Sequence, residues 1–373
     1  MRARKTLLHK VWFSCIAFLL SGLGLSCARA VPPVTQAAAH QPAPIRNGEH
    51  DFDFDFGTWK THIHRILDPF SASSKAIDLN GTVTVRKVWG GRAQLEEIEA
   101  DGPNGRWEGM TLFLYNPQSH QWSMSFINSK VGSLTTPLIG SFKDGRGELF
   151  SSDEFNGRSI LVRGVWSDIT PDAHRYTESY SNDGGKTWAP AFQAELTRIA
   201  PGSDNAEAQA DPPPPGSGWH DFDFDFGTWK THSTRLLHPL TGSTTWVDMD
   251  GTTVVKKIWG GRANLAEYKA SGPVAGQIEL LSLRWYNPSA HQWNLDFATP
   301  GVGTLGIPCI GEFKNGRAVC YDYEPINGKS VLVRFSIWGI SPDTGQSEQA
   351  FSDDGGKTWE VNWINKYTRV KTE

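Results

Sequence analysis

Short stretches in which apolar and polar residues alternate run through most of the chain. Thr82–Trp89, Thr111–Tyr115, Trp122–Ile127 and Ser159–Trp166 follow a period of two, the spacing of strands with one buried face. Between them stand tight-turn dipeptides: Asn80-Gly81, Asn104-Gly105, Asp144-Gly145, Asn156-Gly157 and Asp183-Gly184, then Asp250-Gly251, Asn315-Gly316, Asn327-Gly328 and Asp354-Gly355. Such pairs tolerate the positive φ angles of tight hairpins. No segment shows a convincing helical period. The pattern predicts an all-β protein with about eight to ten strands per repeat. A hairpin meander of that length closes most simply into an up-and-down antiparallel β-barrel.

The chain is duplicated. His50–His62, HDFDFDFGTWKTH, returns unchanged at His220–His232, and Tyr115-Asn116-Pro117, Trp122 and Asp183–Trp188 return as Tyr286-Asn287-Pro288, Trp293 and Asp354–Trp359. Units of solenoids and propellers run to about 20–50 residues, so a repeat of this length is a duplicated domain. Residues 50–200 and 219–373 are read as two barrel domains. Residues 201–218, with four consecutive prolines, read as a semi-rigid linker, and 31–49 as a flexible leader.

Charge is nearly balanced, 36 basic against 40 acidic residues, which leaves no electrostatic footprint for nucleic acid. Residues 1–30 have the form of an export signal. Arg2, Arg4, Lys5 and Lys10 precede the apolar Val11–Leu25, too short to span a bilayer comfortably, and Ala28-Arg29-Ala30 supplies a cleavage site. This predicts a periplasmic or secreted protein beginning at Val31. Lipoprotein processing at Cys27 is the rival, although Gly24 stands where that signal usually has Leu. Signal removal leaves Cys309 and Cys320, which flank the Lys314–Arg317 turn and replace Leu138 and Leu149 of the first copy. In an exported chain the pair reads as a cross-strand disulfide, with two buried thiols as the alternative.

Gly57-Thr58-Trp59 near the start of the first block, with Arg198 near its end, resembles the lipocalin and calycin signature. Gly227-Thr228-Trp229 and Arg369 repeat it. The wider pattern of FDF, GTW, YNP and SDDGGKTW resembles a group of lipocalin-like domains of bacterial secreted proteins of unknown function. The resemblance implies that Arg198 packs Trp59, and Arg369 packs Trp229, at the closed end of a barrel. It also implies a cavity, and no particular reaction.

Several motifs have simpler readings. Ser181–Trp188 and Ser352–Trp359 fit the Asp-box pattern but occur only twice, so they are read as structural turns. HDFDFDF, taken as a strand, would place three carboxylates opposite three phenyl rings. Alternate carboxylates on a flat strand are ~7 Å apart, unsuited to Ca²⁺, so the Phe residues are read as a plug. If Trp59 points inward, His62 points outward, away from any metal in the barrel. No metal, cofactor or catalytic residue is assigned, because none of the usual nucleophile, metal or nucleotide motifs is present.

Charges retained on apolar strand faces in both copies are the candidate ligand contacts: Arg65, Lys87, Glu97, Glu108 and Arg163, with Arg235, Lys257, Glu267, Glu279 and Arg334. On Trp107–Tyr115 the face bearing Glu108, Met110, Leu112 and Leu114 is read as inner, because Phe113 on the opposite face becomes Arg284. The expected function is binding of a small apolar or amphipathic ligand inside each barrel, polar contacts coming chiefly from Arg65, Glu108 and Arg163 and their counterparts. Internal Arg–Glu pairs that merely close the barrel explain the same charges. A hydrolase or isomerase using Glu108, and a glycan-binding module using exposed Trp107 or Trp166, are the rival functions.

Overall fold

The computed structural model describes residues 46–199 and 217–371. The signal segment, most of the leader, Cys27 and nearly all of the Pro-rich linker lie outside the described residues. The first block forms ten strands: β1 Gly57–Ile66, β2 Ala76–Val88, β3 Ala93–Gly102, β4 Gly105–Asn116, β5 Gln121–Asn128, β6 Leu138–Lys143, β7 Arg146–Phe155, β8 Arg158–Ser167, β9 Ala173–Ser181 and β10 Ala189–Arg198. Each pairs antiparallel with the next, and β1 pairs with β10, Trp59 opposite Arg198, to close the barrel. The second block repeats the plan: β11 Gly227–Leu236, β12 Trp246–Ile258, β13 Ala263–Gly272, β14 Gly276–Asn287, β15 Gln292–Ala298, β16 Cys309–Lys314, β17 Arg317–Ile326, β18 Lys329–Ser341, β19 Thr344–Ser352 and β20 Glu360–Arg369. The chain is a tandem of two closed ten-stranded antiparallel barrels.

One end of each barrel is sealed by the repeated motif. HDFDFDF is not a strand here: a turn leads into a 3₁₀ helix at Asp53–Asp55. Backbone N–H groups of Asp51, Asp53 and Asp55 donate to carbonyls three residues earlier, each at 3.0 Å. This winding breaks the two-residue alternation. Phe52 is driven into the barrel among Phe113, Trp122, Phe142 and Trp166, with ring centroids 4.8–5.1 Å away. Asp55 goes inward with it. The plug is apolar with two buried carboxylates, Asp51 paired with Arg46 and Asp55 beside His174, not a phenyl face opposed to an acidic one.

Arg198 lies 4.0 Å over the Trp59 ring and donates to the carbonyls of Phe54, Phe56 and Pro171. Arg369 does the same over Trp229 with Phe224, Phe226 and Pro342. Gly57 makes room for it. Its φ is +123°, and a Cβ there would lie 2.6 Å from the Arg198 guanidinium.

The largest apolar cluster belongs to neither barrel interior. It joins Leu95, Met110, Leu112 and Leu114 of one barrel to Leu265, Leu281, Leu283 and Trp285 of the other. At roughly 1.5–3 kcal/mol for each fully buried large aliphatic side chain, this face is a core shared by two barrels. Polar contacts across it come in reciprocal pairs. The Trp89 N–H donates to Glu267 (3.1 Å) and the Trp259 N–H to Glu97. Arg262 pairs with Glu108 and Arg92 with Glu279. Trp89 and Trp259 have φ of 54° and 51°, a strained backbone for a bulky residue. Both copies hold it where the N–H meets the other barrel's carboxylate.

Candidate functional site

The first barrel is hollow. Strand alternation turns Thr61, Ile63 and Arg65 of β1, Glu96 and Ile98 of β3, Trp107 and Thr111 of β4, and Tyr176, Glu178 and Tyr180 of β9 toward a cavity of about 250 Å³. The barrel wall positions these side chains, so the site has a rigid frame. The wall is mostly aromatic and aliphatic, and its polar groups sit at successive depths.

At the floor Asp55 accepts a hydrogen bond from Gln94 Nε2 (2.8 Å) and lies 3.2 Å from His174 Nε2. The other ring nitrogen of His174 is buried without a hydrogen-bond partner among the described residues. Above it, the Thr111 hydroxyl donates to Glu96 (2.7 Å). Burial pushes the Glu96 carboxyl up to about 8; the neighbouring Asp55 adds to this and Thr111 opposes it. Glu178 accepts from Tyr176 (3.2 Å) and Tyr180 (2.9 Å). Burial also raises the Glu178 carboxyl, against the two phenol hydroxyls and Arg65. Exposed Arg65 and Asp153 stand at the opposite, open end. The arrangement can accept hydrogen bonds from a guest and hold a proton inside an apolar pocket.

The second barrel carries larger side chains at the equivalent positions. Ile98, Phe192, Ala194 and Leu196 correspond to Tyr268, Trp363, Asn365 and Tyr367. Tyr268 packs against Trp363 (5.8 Å) and meets the Ser233 hydroxyl at 2.8 Å. Asn365 donates to Ser347, which meets Tyr367 at 2.8 Å. The floor is recast as well. Phe113 and His174 become Arg284 and Gly345, and Arg284 pairs with Asp225 at 2.6 Å inside the barrel. Cys309 and Cys320 are joined in its wall by a disulfide, their Cα atoms 5.4 Å apart.

Arg284 corrects the assignment of faces on the fourth strand. The Phe113/Arg284 face was expected outside because an unpaired cation is costly within; Asp225 neutralises it there. The opposite face, with Glu108, Met110, Leu112 and Leu114, is outer and covered by the second barrel. Glu108, Glu279, Glu97 and Glu267 therefore stand between the barrels, not in a cavity. Arg163 and Arg334 lie on the outer wall, 4.6 Å over Trp188 and Trp359 of the Asp-box turns. Lys87 pairs with Asp53 at 3.3 Å near the closed end, and Lys257 lies beside Gly261. Arg235 sits over Trp363 at 5.0 Å. Of the first-copy candidates only Arg65 lines the first cavity.

Trp107 lines the cavity and Trp166 is buried, which removes both from the outer aromatic row a glycan surface needs. His62 faces outward, toward Asn80 and Asp78. Among the described residues no group of three metal-ligating side chains comes together, and no helix is long and apolar enough to cross a membrane. Asp183 accepts the N–H groups of Lys186 and Thr187 in its turn, and these bonds, that of Thr187 foremost, hold its carboxyl down at about 2.

A family model described as a protein of unknown function, DUF1579, matches residues 49–198. No curated protein matches the chain. Among solved structures, an S-type phycobiliprotein lyase from Guillardia theta is 11% identical, with 43% of this chain and 96% of that one covered and a TM-score of 0.31. EF1p2_mFAP2b, solved bound to DFHBI, is 11% identical, with 41% and 100% covered and a TM-score of 0.24. A protein of unknown function of the DUF3598 family from Nostoc punctiforme is 12% identical, with 87% and 100% covered and a TM-score of 0.27.

Proposed function

We propose that the first barrel binds a small, partly apolar ligand in its interior, with Glu96, Glu178 and Arg65 as its polar contacts. One observation carries the reading: the first barrel holds a cavity of about 250 Å³ whose mostly apolar wall carries Glu96 and Glu178. That is near the lower end of ligand pockets, typically roughly 300–1,000 Å³, so the guest is small. The interior presents more carboxylates than cations, which favours a guest bearing a donor or a positive charge over an anionic head group.

We also take the chain to be exported, residues 50–200 and 219–373 acting as its two barrel domains. The disulfide supports an oxidising destination. Native mass spectrometry of the whole chain, followed by affinity measurement for any guest released, tests the binding reading. The double substitution Ile98→Tyr with Phe192→Trp, which imports the second barrel's larger side chains, should abolish binding. Arg65→Ala should weaken it, and Arg235→Ala should leave it unchanged. Undiminished affinity in the filled variant would sink the proposal.

A second reading, a hydrolase or isomerase, draws support from Glu96. A carboxyl titrating near 8 in an apolar pocket suits general acid–base chemistry. Turnover of a bound guest that Glu96→Gln stops while affinity persists would select this reading.

A further inference from the structure

We propose that the cleft between the two barrels, beside Trp89 and Arg92, is a second ligand site that takes a small, uncharged planar aromatic molecule stacked on the Arg92 guanidinium. The argument rests on two clefts that the repeat makes equivalent. The first is built from Trp89, Arg92, Tyr115 and Pro117 of one barrel and Thr299–Gly303 of the other, and it encloses about 680 Å³. The second uses the corresponding Trp259, Arg262, Tyr286 and Pro288 with Asn128–Gly132, and it is reduced to about 40 Å³.

Two side chains close the second cleft: Trp285, whose indole N–H meets the Gly132 carbonyl, stands where the open cleft has Leu114, and Trp219 enters over Arg262. Trp219 lies with its ring 5.2 Å from the Arg262 guanidinium, and its indole nitrogen stands 3.7 Å from where a Cβ on Gly261 would be. The residue at the same place in the first copy is Glu49, which has no ring to offer. In both copies one guanidinium face is taken, Arg92 lying 4.6 Å over Trp89 and Arg262 5.5 Å over Trp259, so the copies differ at the other face. The Arg262 side chain is 10% exposed, whereas Arg92, held by the same kind of ion pair to the opposite barrel, is 46% exposed. Gly91 repeats the positive φ of Gly261, 91° against 93°, and so leaves the same flat floor.

The other charges at the open cleft are matched locally. Lys87 and His50 both meet Asp53, at 3.3 and 3.1 Å, and His50 also meets Glu49 at 3.2 Å. Arg92 pairs with Glu279, which Lys269 also meets at 3.0 Å, and the Glu49 and Asp53 carboxylates balance the remaining positive charge. Recognition therefore falls to ring stacking on a cation whose charge is already balanced. An indole in the sister cleft shows the size and shape of ring that this geometry accepts.

Indole and quinoline, titrated against the whole chain by calorimetry and ligand-detected saturation-transfer NMR, test the proposal. One saturable site per chain is expected. Glu49→Trp, which copies the sister cleft, should weaken binding at least tenfold. Trp219→Glu combined with Trp285→Leu, which gives the second cleft the lining of the first, should open a second site and raise the stoichiometry from one to two. Arg92→Lys, which keeps the charge facing Glu279 but loses the flat face, should also weaken binding and carries the test if that double variant does not fold. No saturable binding of either probe overturns the proposal, as does undiminished affinity in Glu49→Trp. Loss of binding only in the barrel-filling Ile98→Tyr, Phe192→Trp variant places the probe in the first barrel and overturns it too. Because the cleft and the barrel are blocked by different variants, either site can fail without the other.

Discussion

Glu96→Gln should remove a large, pH-dependent part of the chain's stability profile. In the folded barrel Glu96 keeps its proton up to about 8, whereas an ordinary glutamate loses it near 4.5. Between those values the native state binds more protons than the unfolded state, so stability falls as pH rises. The contribution is fully present below 4.5 and is gone once the pH has passed through about 8. At roughly 1.4 kcal/mol per pH unit, that interval caps the loss at about 5 kcal/mol. Glu96 is half-buried, but its remaining exposure opens into the cavity, so water entering there will reduce the loss.

Urea unfolding of the native chain and Glu96→Gln at pH 5, 6, 7 and 8 measures the difference, and the native chain should lose ground steadily across that range. Carboxyl-carbon NMR gives the direct reading: the resonance absent from Glu96→Gln should titrate near 8. Thr111→Val, which deletes the donor that favours the charged carboxylate, should move it higher still. A Glu96 resonance titrating between 4 and 5 would refute both the burial argument and the general acid–base reading.

Glu108→Ala should cost about 3–5 kcal/mol by leaving Arg262 buried without its partner. A double-mutant cycle with Arg262→Ala should show coupling above about 1 kcal/mol, and zero coupling would remove this pair from the barrel interface. Replacing Cys309 and Cys320 by Ala should destabilise the second barrel by about 2–3 kcal/mol, since the loop between them is short. Hydrogen exchange should show the loss in the second barrel and leave ligand affinity of the first unchanged. Asp183→Asn should loosen the β9–β10 turn, seen as faster exchange of the Lys186 and Thr187 amides. In the native chain that turn's added stability is present above 3.8 and lost as pH falls through about 2; protection unchanged down to that pH would contradict it.

The barrels were legible because strands announce themselves locally. Two-residue alternation and Asn-Gly or Asp-Gly turns need no knowledge of what lies opposite. Inside and outside were harder to tell apart. The outer face of β4 is as apolar as a core because another barrel covers it, and Arg284 looked external because its partner Asp225 is 59 residues away. Alternation in HDFDFDF misled for a different reason: its backbone bonds to itself three residues on, and no neighbouring strand imposes a pleat.

The candidate site itself stayed hidden for a reason the duplication explains. Glu96, His174, Tyr176, Glu178 and Tyr180 become Ala266, Gly345, Ser347, Gln349 and Phe351. Selecting charges common to both copies kept the joint between the barrels and discarded the lining of the cavity. The informative signal was the difference between the copies.

The reciprocal contacts across the shared face have a further consequence. They are the contacts of a two-fold symmetric dimer, in which each residue of one subunit meets the same partners on the other. In a dimer of separate chains every substitution appears twice, so a mutation that fills one interior fills both. Joining the two halves in a single polypeptide removes that constraint while preserving the interface. One barrel can then take larger tyrosine and tryptophan side chains and be stiffened by a disulfide, while its neighbour keeps smaller ones around its cavity. The second barrel becomes a permanent, covalently supplied partner for the first.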